Sequence, residues 1–348
     1  MSGKAIVIVE KGKVEIRDVE KPKLREGYVL VKVTAVGLNP TDWKGIEYKE
    51  VPGVRVGVDY AGVVEELGPG VTKFKKGDRI AGIVNGGNQL NPDAGTFGEY
   101  TAARASLQLK IPDNITDEQA ATLGVSTVTV GQGLYKVLGL PWPTTPTKTP
   151  FPILIHGGST ATGIYGIQYA KLSGLTVIAT SSPHNFELLK SLGADEVFDY
   201  RSPTAGPDIR ALTQNKLVYA WDCTGSGGDL IAHALSSELP SKYATIIPVD
   251  AAAVHAINPK IEGPTFHLGY DVMGEEYMWQ GQVVAVKEDE HENAARIVET
   301  ARELLEQGKI RPVRTVVDQG GKGLEGVLKG LGELKEGRIS AGKFVYTL

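Results

Sequence analysis

The sequence predicts an α/β protein in two parts: a β-rich N-terminal domain and a doubly wound parallel-sheet domain. Three observations carry this expectation. Short β-branched and aromatic runs, separated by turn residues, crowd positions 1–122. Beyond them apolar runs alternate with helical spacing, the rhythm of strand–helix–strand crossovers. The second pattern opens on Ile153-Leu154-Ile155-His156-Gly157-Gly158, an apolar run stopped by glycines that lead into small and hydroxyl-bearing residues.

In chain order, 5–9 and 28–33 have strand composition, and 62–68 runs into the turn signals Pro69-Gly70 and Lys76-Gly77-Asp78. The proline- and threonine-rich segment 141–150 reads as an exposed loop. A strand at 153–156 precedes a helix over 161–173, where Ile164, Ile167, Ala170 and Leu172 have helical spacing. A strand at 175–179 leads to a helix over 184–192 that ends at Gly193, and strands near 196–198, 217–221 and 243–247 continue the alternation. Residues 288–307 form a charged amphipathic helix, and 313–317 and 343–348 are final strands returning to the first domain. The expected domains are therefore 1–122, 123–285 and a returning segment 286–348. No internal repeat is visible.

A chain of 348 residues buries a large core and favours two domains. Its net charge of −4 argues against a nucleic-acid partner, which needs a basic face. The single cysteine, Cys223, excludes a disulfide framework within one chain and reads as a small buried hydrophobe. No run of membrane-spanning length and no secretory signal is visible, so the chain reads as soluble and cytoplasmic.

Backbone N–H groups at a helix N-terminus favour an anionic pyrophosphate, and glycine allows close approach. Gly157, Gly158 and Gly163 suit those roles, and Ser159, Thr160, Ala161 and Thr162 supply small and hydroxyl-bearing positions. This is the layout of a Rossmann βαβ unit. The next strand ends in Ser181-Ser182-Pro183-His184-Asn185, where an NAD site carries a carboxylate for the ribose; the first acid here is Glu187. Ser182, His184 and Asn185 instead offer donors for a 2′-phosphate, pointing to NADPH. Helix capping by Ser182 with Pro183 at the first helical position explains the same residues, and both roles are compatible.

Several segments in order give a wider resemblance: Gly37-Leu38-Asn39-Pro40-Thr41-Asp42-Trp43-Lys44, Gly57-Val58-Asp59-Tyr60-Ala61-Gly62, Gly77-Asp78-Arg79-Ile80, Gly95-Thr96-Phe97-Gly98-Glu99-Tyr100, and the nucleotide turn. Over nearly its whole length the chain resembles the medium-chain dehydrogenase/reductase superfamily, which implies a GroES-like first domain and a Rossmann second domain. It is most similar there to the fungal trans-acting enoyl reductases that partner polyketide synthases, through 157–162, 179–186 and 193–201. That resemblance implies NADPH, an acyl carrier domain as partner, a thioester substrate and a monomer. It implies that Thr41, Asp42, Trp43 and Lys44 meet the cofactor, that Tyr200 stacks on adenine, and that Ile246 and Ile247 face the nicotinamide end. It places Ser126 and Thr127 against the substrate and assigns Tyr270, Asp271, Val272 and Met273 to its pocket. Lys44 and Thr127 are the expected catalytic residues. Asn39 and Asp42 are also turn formers.

Zinc-dependent members carry a cysteine and a Gly-His-Glu segment where this chain has Thr41 and Gly57-Val58-Asp59. Catalytic zinc needs about three protein ligands, and the histidines at 156, 184, 233, 255, 267 and 291 stand singly. No metal is expected. The expected chemistry is hydride transfer from the nicotinamide to the β-carbon of an α,β-unsaturated thioester, then protonation at the α-carbon. A quinone or enone reductase acting on free small molecules, and a non-catalytic NADPH-binding protein, are the alternatives.

Overall fold

The computed structural model describes residues 2–49 and 51–348. The strands are β1 (Ser2–Glu10), β2 (Lys13–Glu20), β3 (Tyr28–Gly37), β4 (Asp59–Leu67), β5 (Arg79–Ile83), β6 (Tyr100–Arg104), β7 (Gln108–Lys110), β8 (Pro152–His156), β9 (Thr176–Ser181), β10 (Glu196–Asp199), β11 (Tyr219–Asp222), β12 (Ser241–Thr245), β13 (Ile261–Phe266), β14 (Tyr277–Trp279), β15 (Gln282–Val284), β16 (Thr315–Val317) and β17 (Lys343–Thr347). The helices are α1 (Pro40–Tyr48), α2 (Asp117–Ala120), α3 (Gly124–Val130), α4 (Ala161–Leu172), α5 (Phe186–Ser191), α6 (Ala205–Leu212), α7 (Gly228–Ala234), α8 (Ala251–Ile257), α9 (Glu288–Glu306) and α10 (Gly323–Lys335). The chain forms two compact units, Met1–Val128 with Tyr270–Leu348, and Thr129–Gly269.

In the first unit β1 and β2 form an antiparallel hairpin. A seven-stranded sheet runs β16-β17-β3-β4-β5-β7, with β6 also paired to β3. Strand β3 is apolar almost throughout because other elements cover both its faces; its Val29, Val31 and Val36 join Ile6, Ile8, Tyr60, Phe97 and Phe344 in the core. The last strand, β17, pairs antiparallel with β3, with Val345 opposite Gly37. The chain returns to this unit at Tyr270, earlier than the 286 expected from sequence. The reason is a set of long-range hydrogen bonds. Arg104 donates to the Gly274 carbonyl, Asn88 to the Glu276 carbonyl at 3.0 Å, and Tyr28 to the Glu275 carboxylate at 3.1 Å.

In the second unit six parallel strands run β10-β9-β8-β11-β12-β13, the doubly wound order in which direction reverses between β8 and β11. Every strand expected in this unit is present, with ends shifted by one or two residues. The helix expected over 184–192 is instead a 3₁₀ turn, Pro183–Asn185, followed by α5. The Asn185 N–H closes on the Ser182 carbonyl at 3.0 Å, which tightens that first turn. Strand β13 has no counterpart in the sequence reading: its Ile-Glu-Gly-Pro-Thr-Phe lacks alternation and carries two breakers.

Candidate active site

In the second unit the glycine turn after β8 is built by local chemistry. Strand β8 ends at His156, and Gly157 turns the chain with φ of +76°, a conformation that side-chain-bearing residues rarely adopt. Thr160 caps α4: its hydroxyl donates to the Gly157 carbonyl at 2.8 Å and accepts from the Gly163 N–H at 2.9 Å. Gly163 must be glycine here, because a Cβ would lie 2.3 Å from the Gly157 carbonyl oxygen. The first-turn N–H groups of Ala161 and Thr162 have no intrahelical acceptor, as at any helix start. Together with the half-buried Ser159, Thr160 and Thr162 they form a donor set that fits a pyrophosphate.

The neighbouring strand ends hold this turn. The Gly158 N–H donates to the Thr180 carbonyl at 2.9 Å, and the Thr180 hydroxyl bonds His156 Nδ1 at 2.9 Å. Burial pushes the His156 imidazole below its ordinary pKa, which keeps it neutral. Across the switch point, fully buried Asp222 accepts from the N–H groups of Thr224 (2.8 Å), Gly225 (2.9 Å) and Gly227 (2.8 Å) and from the Tyr243 hydroxyl (3.0 Å). Sequence reasoning missed Asp222. Its signal was an aspartate just ahead of Thr224-Gly225-Ser226-Gly227, a run of turn formers.

Past the end of β9, Pro183 opens the 3₁₀ turn, but the Ser182 side chain makes no cap hydrogen bond. Ser182 holds the N-cap position with Pro183 after it, as the capping reading has it, but the Asn185 N–H is satisfied by the Ser182 backbone carbonyl and not by its side chain. His184 is exposed and Asn185 buried. Tyr200 is 46% exposed, edge-on to His156 with ring centroids 6.4 Å apart, so it offers solvent an aromatic face. The Ile246 N–H donates to the Asp222 carbonyl at 3.2 Å, and the half-exposed Ile247 packs beside Gly225.

In the first unit a small recess with a cavity volume of about 10 Å³ forms beside α1, with Gly57, Gly86 and Gly87 along its wall. At its edge the Asn39 N–H donates to Asp42 Oδ2 at 2.7 Å, while buried Asp42 Oδ1 has no partner. Burial pushes the Asp42 carboxyl up to about 8. The Thr41 and Tyr270 hydroxyls bond at 2.6 Å. Lys49, just past α1, donates to the Gly87 carbonyl at 2.7 Å, and its ammonium lies 5.5 Å from the Tyr270 ring centroid. Burial lowers Lys49 to about 8 against the opposing pull of Asp42. Burial also raises Tyr270 to about 12, opposed by its bond to Thr41.

The structure thus gathers only some of the expected residues. Thr41, Asp42 and Tyr270 line this recess, and so does Lys49, which the sequence reading passed over in favour of Lys44. Lys44 is half-buried with its ammonium 5.6 Å from the centroid of the half-buried Trp43, and does not line the recess. Ser126 and Thr127 are buried in α3, and the Thr127 hydroxyl has no hydrogen-bond partner. Met273 lines a second small recess, of about 10 Å³, with Tyr28 and Arg104. Asp271 and Val272 line neither. Asp271 accepts from Tyr277 at 2.7 Å and pairs with Lys287 at 2.8 Å, while buried Val272 uses its carbonyl to accept from His291 Nδ1 at 2.8 Å.

The donor set around Thr41 does not fit zinc. Fully buried Asp59 is engaged by the Lys343 ammonium, by Asn39 Nδ2 at 3.0 Å and by the Val125 N–H at 2.7 Å. Thr41 is held by Tyr270, and Val58 offers no ligand. Among the described residues no group of three or more His, Cys, Asp or Glu side chains is placed to hold a metal.

Known proteins share this layout. Residues 25–113 match the alcohol dehydrogenase GroES-like domain, and residues 161–237 match the family described as zinc-binding dehydrogenase. The trans-enoyl reductase ACTTS2 of Alternaria alternata is 40% identical over 351 residues, spanning 100% of this chain and 99% of that protein. The chain belongs to the trans-enoyl reductase family. Its fold is that of the medium-chain dehydrogenases/reductases, and it is an oxidoreductase. A putative zinc-dependent alcohol dehydrogenase from Rhizobium etli CFN 42 shares the fold with a TM-score of 0.80 at 24% identity, covering 100% of this chain and 98% of that one. Mycobacterial Rv1454c complexed with NADPH does so with a TM-score of 0.74 at 23% identity, covering 99% and 100%.

Proposed function

We propose that this trans-enoyl reductase family member is a zinc-independent, NADPH-dependent enzyme that reduces an α,β-unsaturated thioester on an acyl carrier domain of a polyketide synthase. The observation that carries this reading is the recess beside α1, where hydroxyl and ammonium groups stand in place of metal ligands. Such groups polarise and protonate a conjugated carbonyl, whereas alcohol oxidation in this fold calls on a Lewis acid. When bound, the reduced nicotinamide supplies a hydride.

The chain's own residues then have distinct tasks. Gly158, Ser159, Thr160, Ala161 and Thr162 hold the pyrophosphate, and Ser182, His184 and Asn185 receive the 2′-phosphate. Tyr200 covers the adenine, and Ile246 and Ile247 form an apolar wall for the nicotinamide end. Thr41, Asp42, Trp43 and Lys44 meet the cofactor, with Lys44 donating to it from outside the recess. The unpartnered Thr127 hydroxyl orients cofactor and substrate, with Ser126 beside it.

The edge strand β13 supports a monomer. Pro264 removes a ladder donor, exposed Glu262 brings a charge, and the register shifts between Lys242 and Ala244 on β12, so a second copy finds no regular ladder along β13. No helix among the described residues is long and apolar enough to cross a membrane, and the cytoplasm is the proposed location. The test is NADPH oxidation with crotonyl-pantetheine, with NADH, a quinone and a chelator in parallel. Turnover that prefers NADPH, ignores the chelator and exceeds quinone reduction is expected. Faster turnover of free quinones overturns the carrier-bound assignment.

A further inference from the structure

Reduction of an enoyl thioester ends with a proton delivered to the α-carbon, and the acid that gives it must sit where the enolate forms. We propose that the Tyr270 hydroxyl is this acid, aligned by Thr41 and backed by the Lys49 ammonium. The assignment rests on the enoyl reductase reading above and names its proton source.

Four features of the recess converge on Tyr270. Tyr270 lines the recess, and its hydroxyl is oriented by the 2.6 Å bond to Thr41. The phenolate left after proton transfer keeps that bond, with Thr41 as donor. Lys49, whose ammonium lies 5.5 Å from the ring centroid, lowers the energy of that phenolate. Asp42 lines the same recess, and burial pushes its carboxyl up to about 8, which weakens the opposing charge that it sets against a Tyr270 phenolate. Its unpartnered Oδ1 also leaves a polar position for a water to bond. Lys44 does not line the recess.

The step balances. Hydride forms the new C–H bond at the β-carbon, and the π electrons move through the α-carbon to the carbonyl oxygen. The enolate electrons then form the α C–H bond as the Tyr270 O–H bond breaks, leaving its electron pair on the phenolate. The phenolate regains its proton from solvent. A thioester enolate is far more basic at carbon than a phenolate, so the transfer runs downhill. A positioned acid of this kind is worth roughly 10²- to 10⁴-fold in rate.

The test is Tyr270→Phe in the full chain, assayed with crotonyl-pantetheine and NADPH in D₂O. We expect kcat to fall about 100-fold or more while KM and the NADPH Kd, read by tryptophan fluorescence, stay within about three-fold. Deuterium at the α-carbon should lose its single-face placement, while the hydride stays on one face of the β-carbon. A kcat within about five-fold of wild type, or α-deuterium still on one face, overturns the proposal. A wild-type chain that binds NADPH but is inert toward enoyl thioesters instead removes the enoyl reductase reading, and the proposal with it. Should Tyr270→Phe lose NADPH binding, 3-fluorotyrosine at position 270 keeps the shape and acidifies the phenol. A changed solvent isotope effect on kcat then supports the assignment, and an unchanged one overturns it.

Discussion

Lys343→Met isolates the interaction that organises the first unit. The Lys343 ammonium is 3% exposed and pairs with Asp59, which is fully buried. It also donates to Asn39 Oδ1 at 2.9 Å. Removing it leaves the Asp59 carboxylate in the interior with hydrogen bonds from Asn39 and the Val125 N–H alone. Breaking one side of a buried pair costs about 3–5 kcal/mol, and the two surviving hydrogen bonds favour the lower end. About 3 kcal/mol in a unit of this size lowers Tm by roughly 6–12 °C. Circular dichroism melts and urea titrations of the single and double variants measure it. Asp59→Asn combined with Lys343→Met should recover part of the loss, because neither charge is then stranded. A Lys343→Met variant within about 1 kcal/mol of wild type, or strict additivity in the double variant, would refute the reasoning. Because Asp59 also ties the starts of α1 and α3, the single variant should lose activity before it melts.

Three further outcomes are expected. Ser182→Asp sets a carboxylate at the end of β9 and should weaken NADPH about ten-fold, or about 1.4 kcal/mol, while leaving NADH nearly unchanged in a fluorescence titration. Gly163→Ala places a Cβ 2.3 Å from the Gly157 carbonyl oxygen, so the NADPH Kd should rise at least about ten-fold with the far-ultraviolet spectrum retained. Asp42 has a folded pKa raised by burial to about 8, above its unfolded value, so its contribution to stability is full at low pH and is lost as pH rises toward 8. Asp42→Asn should therefore flatten the decline of urea-measured stability between about pH 5 and 7, a window below the lowered Lys49 value, where that amine is charged in both states. An identical slope in the two proteins would show that the carboxyl ionises normally in the fold.

The glycine turn after β8 was legible because its determinants are local. Gly157, Thr160 and Gly163 act within seven residues, through one positive φ, one cap and one close approach. The parallel sheet followed for the same reason, since burial on both faces leaves near-continuous apolar runs in each strand. The short helices and β13 were harder, because breakers and exposed positions interrupt their periodicity. Lys49 was hidden differently. Nothing in the spacing of Lys44 and Lys49 says which one turns back over Tyr270; the end of α1 and the Gly87 carbonyl decide it.

By itself, then, the sequence determined the two-part α/β fold, the glycine turn after β8 and the absence of a carboxylate where β9 ends. These depend on periodicity, backbone preference and residue chemistry within a few turns of chain. Only the tertiary structure decided that Asp59 is held by Lys343, 284 positions away, and that Thr41 meets Tyr270, 229 positions away. It also decided that Asp271 and Val272 turn from the recess while Tyr270 faces it. Such pairings arise when sheet closure brings distant strands into register, and desolvation then fixes which polar groups must find each other.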